Sequence, residues 1–209
     1  MTFDDALEKL PLVAIIRGVR PDEAEAIGEA IVGAGFTLIE VPLNSPDPLA
    51  SIATLVRSLD GRAVVGAGTV LTAQAVDEVK ATGASIIVSP NMNPAVIARA
   101  AEHGLASLPG ISTPTEAFAA LDAGAAALKL FPAEGSSPAV LKAMRAVLPK
   151  TTRVLPVGGI NPDNMAPWIA AGADGFGLAS ALYKPGDAPD TVAANARRFV
   201  ENWRAARAG

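Results

Sequence analysis

The chain has 209 residues, half of them hydrophobic but only 4% aromatic, and a formal charge of −4 with no basic tract. That balance argues against nucleic acid or an anionic membrane as a partner. The lack of cysteine removes disulfides and thiolate metal sites, and one histidine, His103, leaves little for zinc or a histidine-based triad.

Short apolar runs alternate with longer alanine-rich amphipathic runs, so the former read as strands and the latter as helices. The first strand spans 12–17, followed by a helix from Pro21 whose start is marked by Arg20-Pro21-Asp22-Glu23. The second spans 37–43, with a helix from Pro46 after Ser45. Strands at 63–67 and 85–89 precede helices beginning near Thr72 and Asn93. A strand at 106–109 leads to Thr113-Pro114-Thr115-Glu116, a strong helix start. The run 126–131 precedes a helix from Ser137, and 153–157 precedes Asn161-Pro162-Asp163. The last strand, 175–178, is followed by an amphipathic helix from Asp190 that carries Phe199 and Trp203. Gly35, Gly83, Gly104, Gly124 and Gly172 stand where helices close in a left-handed residue. Asp22, Glu23, Glu25 and Glu29 read as a solvated helix face, and Trp168 and Trp203 as packing residues.

Repetition at roughly 20 to 27 residues matches βαβ units. Eight such units predict an α/β fold, a (β/α)8 TIM barrel forming one domain over 1–209. A doubly wound open sheet is the alternative, but Arg17-Gly18-Val19-Arg20 lacks the glycine fingerprint expected after its first strand. The start, Met-Thr-Phe-Asp-Asp, lacks the basic segment of a secretory signal, and no apolar stretch would span a membrane. A cytoplasmic protein is expected.

Three lone charges fall in apolar strands near the carboxyl ends where barrel active sites gather: Arg17, Glu40 and Lys129. Burying an ammonium lowers its pKa, and a neutral amine is what imine chemistry requires. Lysine as nucleophile, glutamate as acid/base and arginine as anion holder make one reading; a cluster that only neutralises itself is the other. Gly158-Gly159 and Ser180 follow the seventh and eighth strands, the usual barrel phosphate site, though the glycines could serve only a tight turn. His103 sits at a helix end, where it would complement the dipole.

Several stretches resemble one family: Leu-Ile-Glu40-Val-Pro-Leu-Asn44-Ser-Pro, Gly-Ala-Gly-Thr69-Val-Leu, Ile-Val-Ser-Pro90-Asn, Leu-Pro-Gly-Ile-Ser-Thr-Pro-Thr-Glu-Ala, Leu-Lys129-Leu-Phe-Pro and Pro-Val157-Gly-Gly-Ile. In this order they are similar to the 2-keto-3-deoxy-6-phosphogluconate/phosphogalactonate aldolases, across nearly the whole chain. The resemblance implies a trimeric class I barrel that forms a lysine Schiff base and uses no metal or other cofactor. It places the imine on Lys129 and proton transfer on Glu40. It places the 2-keto acid near Arg17 and Thr69, with Arg17 alternatively on the phosphate, and counts Pro90 among the substrate-binding residues. Gly158, Gly159 and Ser180 would take the phosphate. Gluconate-type members commonly have arginine where this chain has Asn44, and threonine where it has Val157. Both departures look like galactonate-type members. The resemblance thus implies cleavage of 2-keto-3-deoxy-6-phosphogalactonate to pyruvate and glyceraldehyde 3-phosphate, with the gluconate epimer as the alternative. A metal-dependent sugar-phosphate epimerase would need histidine and carboxylate ligands that the chain scarcely has. A non-catalytic sugar-phosphate-binding protein would leave Lys129 and Glu40 without a purpose.

Overall fold

The computed structural model describes residues 1–208. It opens with α1 (Phe3–Lys9), β1 (Leu12–Ile15), α2 (Pro21–Gly33), β2 (Leu38–Pro42), α3 (Pro48–Ser58), β3 (Val64–Gly68), α4 (Ala73–Ala81) and β4 (Ile86–Val88). There follow α5 (Pro94–Glu102), β5 (Ala106–Leu108), β6 (Gly110–Ile111), α6 (Pro114–Asp122), β7 (Leu128–Leu130) and α7 (Pro138–Arg145). The chain ends with β8 (Val154–Pro156), α8 (Met165–Ala170), β9 (Phe176–Leu178) and α9 (Pro189–Ala208).

β5 and β6 are two halves of one run, parted at Pro109, which has no N–H to give to a ladder. Parallel pairing orders the strands β5-β4-β3-β2-β1-β9 and β6-β7-β8. Two seams join these sets. Val157 bridges Gly177, and Asp174 N donates to Val154 O at 3.0 Å. At the other seam, Ala126 N donates to Ser107 O and Lys129 N to Pro109 O, at 3.0 and 2.9 Å. The sheet therefore closes into the expected (β/α)8 barrel.

Strand alternation divides the core in two. Outward residues such as Leu12, Ile39, Val65, Ile87, Leu128 and Phe176 pack under the helices. Inward residues Val13, Leu38, Val64, Ile86, Val88, Leu108, Ala127 and Leu155 fill the barrel. Phe3, Ala6 and Leu7 of α1 join that inner cluster and stopper its amino-terminal end. Helix α1 is absent from the sequence-based expectations, because seven residues are too few to display a period. Its one legible signal is a capping box: Thr2 Oγ1 accepts from Asp5 N at 3.1 Å, and Thr2 N donates to Asp5 Oδ2 at 2.9 Å. Thr37 Oγ1 fastens the helix by donating to Ala6 O at 2.9 Å.

Most helix starts fall where the caps predict. Thr72, Asn93, Thr113 and Ser137 each accept a first-turn N–H, while Asn161 opens a 3₁₀ turn, Pro162–Asn164, ahead of α8. Helix α3 begins at Pro48 rather than Pro46, since Ser45 N turns back to Pro42 O and Asp47 adopts φ 42° before the second proline. Glu23 departs from the solvated-face reading: it is half-buried, and Tyr183 Oη donates to its Oε1 at 3.1 Å. Trp168 and Trp203 are buried as expected, Trp203 meeting Phe176 edge-on at 6.0 Å. His103 caps α5, and its Nε2 lies 2.6 Å from Asp77 Oδ1 on α4.

Candidate active site

Lys129 and Glu40 project into the same end of the barrel from β7 and β2. Lys129 follows from alternation, since its neighbours Leu128 and Leu130 face the helices. Glu40 likewise lies between the outward Ile39 and Val41. Both are buried, Glu40 at 1% exposure and Lys129 at 6%. They line one cavity whose other walls are Val13, Ile15, Val88, Leu108, Leu155, Val157 and Gly177. Among the described residues no other ionisable side chain lines it.

The surroundings push both groups toward neutrality. Burial raises the Glu40 carboxyl to about 7, against the attraction of Lys129 and Arg17. Burial also lowers the Lys129 amine; Glu40 resists that shift and Arg17 adds to it. Glu40 Oε2 is buried and, among the described residues, accepts no hydrogen bond. Such an oxygen is free to take or give a proton in the cavity. The Phe131 ring centroid lies 4.7 Å from Lys129 Nζ. Phe131 is a site residue that sequence reasoning missed; its place two residues beyond Lys129, on the same side of an extended chain, was the available signal.

Arg17 departs from expectation. β1 ends at Ile15, and Arg17 lies in the turn beyond it, exposed, so the three charges are not one buried cluster. Ile16 N still donates to Glu40 O, but Gly18 (φ 85°) then turns the chain out of the ladder. Arg17 Nη1 donates to Asn44 Oδ1 at 2.7 Å, joining the two expected residues. A neighbouring pocket is lined by Ile15, Arg17, Ala179, Ser180, Tyr183, Lys184 and Pro185. Ile15 walls both cavities, so the lysine chamber adjoins an opening that carries two cations and a serine. Lys184 carried no local signal; the turn after Ser180 brings it there.

Thr69 follows β3 with φ 57°, an outlier for a β-branched residue and the kind of strain that gathers at functional sites. It is one residue beyond Gly68, which packs directly on the Glu40 carboxylate. Pro90 lies at the end of β4, half-buried, and its carbonyl occupies the space a β-carbon on Gly110 would need. Val157 borders Lys129 in the cavity and presents only methyl groups there. Gly158 and Gly159 follow with φ 108° and 65°, the loop being pinned by Asn164 Nδ2 to Gly159 O at 2.8 Å. The Glu134 side chain lies over this glycine pair. Among the described residues no cluster of three His, Cys, Asp or Glu could hold a metal ion, and no helix is long and apolar enough to cross a membrane.

A buried lysine and a buried carboxylate sharing an apolar chamber in a parallel barrel are the groups that imine-forming lyase chemistry requires. Residues 3–186 match the family described as KDPG and KHG aldolase, and the chain belongs to that family. It is 47% identical over 198 residues to the 2-dehydro-3-deoxy-6-phosphogalactonate aldolase of Escherichia coli K12, covering 95% of this chain and 97% of that protein. The 2-dehydro-3-deoxy-phosphogluconate aldolase of Treponema pallidum is 32% identical, over 81% of this chain and 80% of its own length. A solved structure described as native KDPGal superposes with a TM-score of 0.95 at 46% identity, covering 96% of this chain and 98% of its own.

Proposed function

We propose that this chain is a class I aldolase that reversibly cleaves 2-dehydro-3-deoxy-6-phosphogalactonate to pyruvate and D-glyceraldehyde 3-phosphate. The observation that carries this reading is the Lys129–Glu40 pair, buried on separate strands in one apolar chamber and displaced toward neutral pKa values. The neutral amine attacks the C2 ketone, and loss of water leaves a protonated imine. That cation accepts the electron pair released when C3–C4 breaks. Glu40, acting through a water molecule, takes the C4 hydroxyl proton, and the aldehyde departs. Glu40 then returns a proton to C3 of the enamine, and hydrolysis frees pyruvate. A carboxyl near pH 7 can serve both steps because either form is accessible.

The remaining residues take supporting roles. Arg17, held by Asn44, and Thr69 bind the carboxylate end, with Pro90 walling that side. The phosphate lies at the loops of Gly158, Gly159 and Ser180, which supply backbone N–H groups. Val157 favours the galactonate epimer: it offers no hydroxyl to the C4 oxygen, where a threonine would. The greater identity to the galactonate-type relative supports the same choice. The whole chain would act as one catalytic barrel, in the cytoplasm, assembled as a homotrimer; sedimentation of the purified protein tests the last point.

Borohydride added with pyruvate should attach a three-carbon unit to Lys129, read by peptide mass. An unmodified Lys129 peptide would remove the imine from this residue. Comparing kcat/KM on the two C4 epimers then decides the substrate, and a preference for the gluconate acid would overturn the epimer assignment.

A further inference from the structure

Glu134 has no part in the machinery above, yet it occupies the place proposed for phosphate. It belongs to the 3₁₀ turn Ala133–Gly135 that follows β7. Ala133 N donates to Val157 O at 2.8 Å, clamping this turn to the loop after β8. The clamp lays the Glu134 side chain across the glycine pair. A β-carbon on Gly159 would stand 2.7 Å from Glu134 Cγ and 3.3 Å from Cδ; one on Gly158 would collide with Oε2. The room left by two absent side chains is thus filled by a carboxylate. Among the described residues no hydrogen bond or ion pair engages that carboxylate, and Glu134 is exposed overall. Nothing polar fixes it against the loop, and its path to solvent is open.

We propose that Glu134 is a specificity-determining gate over the phosphate loop. Its carboxylate covers Gly158-Gly159 in the free enzyme and swings into solvent when a phosphate dianion takes its place. The proposal rests on the phosphate assignment made above. Like charges repel across this loop, so the carboxylate moves aside or the dianion binds less tightly. The penalty falls only on phosphorylated ligands. It weakens ground-state capture of the phosphate end and hastens release of the phosphorylated aldehyde. An unphosphorylated aldehyde leaves the gate closed and does not register the charge.

The test uses the condensation direction, with pyruvate saturating and either glyceraldehyde 3-phosphate or glyceraldehyde as acceptor. Glu134→Gln keeps the length of the side chain and removes its charge. It should lower KM for glyceraldehyde 3-phosphate by roughly three- to tenfold at low ionic strength, as expected for removing a repulsive near-surface pair. The gain should shrink in salt, and the constants for glyceraldehyde should not move. Glu134→Ala should repeat the effect, which separates charge from any hydrogen bond the new amide makes. An unchanged or raised KM for the phosphorylated aldehyde in both variants overturns the gate, provided the unsubstituted enzyme prefers that aldehyde. Equal KM values for the two aldehydes in the unsubstituted enzyme overturn the phosphate assignment itself, and the gate with it.

Discussion

Gly68 and Glu40 share one volume: a β-carbon on Gly68 would overlap the Glu40 carboxylate. The glycine is therefore what lets β2 aim its acid inward past β3. Gly68→Ala should displace the carboxylate and overpack the chamber, costing about 1–3 kcal/mol of stability. Cleavage should fall by at least about tenfold, while trapping of pyruvate on Lys129 survives, because the amine is not displaced. Thermal unfolding and borohydride labelling check the two halves separately.

Glu40→Gln should form the imine and then stall. Cleavage and exchange of the pyruvate methyl protons with solvent should both drop by roughly 10²–10⁴. Exchange followed by NMR in deuterium oxide, at the unsubstituted rate, would free Glu40 of the role.

The same variant should reveal a pH signature in stability. The folded-state pKa of Glu40, about 7, lies above its ordinary 4.5, so the folded protein holds that proton more tightly than the unfolded chain. The stabilisation is fully present below about 4.5 and is lost as pH rises through about 7. The stability of the unsubstituted protein relative to Glu40→Gln should therefore decline between these pH values. Urea titrations at a series of pH values measure the difference, and a flat difference would contradict the burial of this charge.

Thr69→Gly should relieve the φ of 57°, adding about 1 kcal/mol of stability after the entropy penalty of glycine is subtracted. Activity should fall through a raised KM if the hydroxyl holds substrate. A variant both more stable and fully active would show that the strain has no functional return.

Val157→Thr should shift the ratio of kcat/KM between the C4 epimers toward the gluconate acid by about tenfold. The residue borders Lys129 in the cavity, so the added hydroxyl meets the reacting end of the substrate. Paired kinetics on the two acids read the shift.

Lys129 and Glu40 were legible because each is a single charge at the inward phase of an apolar strand. The fold was legible for a related reason: Thr72, Asn93, Thr113 and Ser137 carry helix starts in their own side chains. Arg17 was misread as a strand residue because a strand's end is decided by its partners, and here Gly18 turns the chain away from β2. Glu134 gave no signal, since its meeting with Gly158 depends on two loops packing that are more than twenty residues apart in the chain. Helix α1 was too short to show a pattern, and its burial is settled only by the open barrel end that it finds.

That small helix has a consequence for the order of events. With Phe3 and Leu7 closing the floor, the barrel is a flask rather than a tube, and all traffic uses one neck. In the proposed reaction the three carbons held on Lys129 would sit deepest, with the cleaved aldehyde between them and the neck. On that reading the aldehyde leaves first and the ketoacid follows through the same neck. A helix of seven residues at the far end of the barrel thus leaves one mouth for both products of the proposed cleavage.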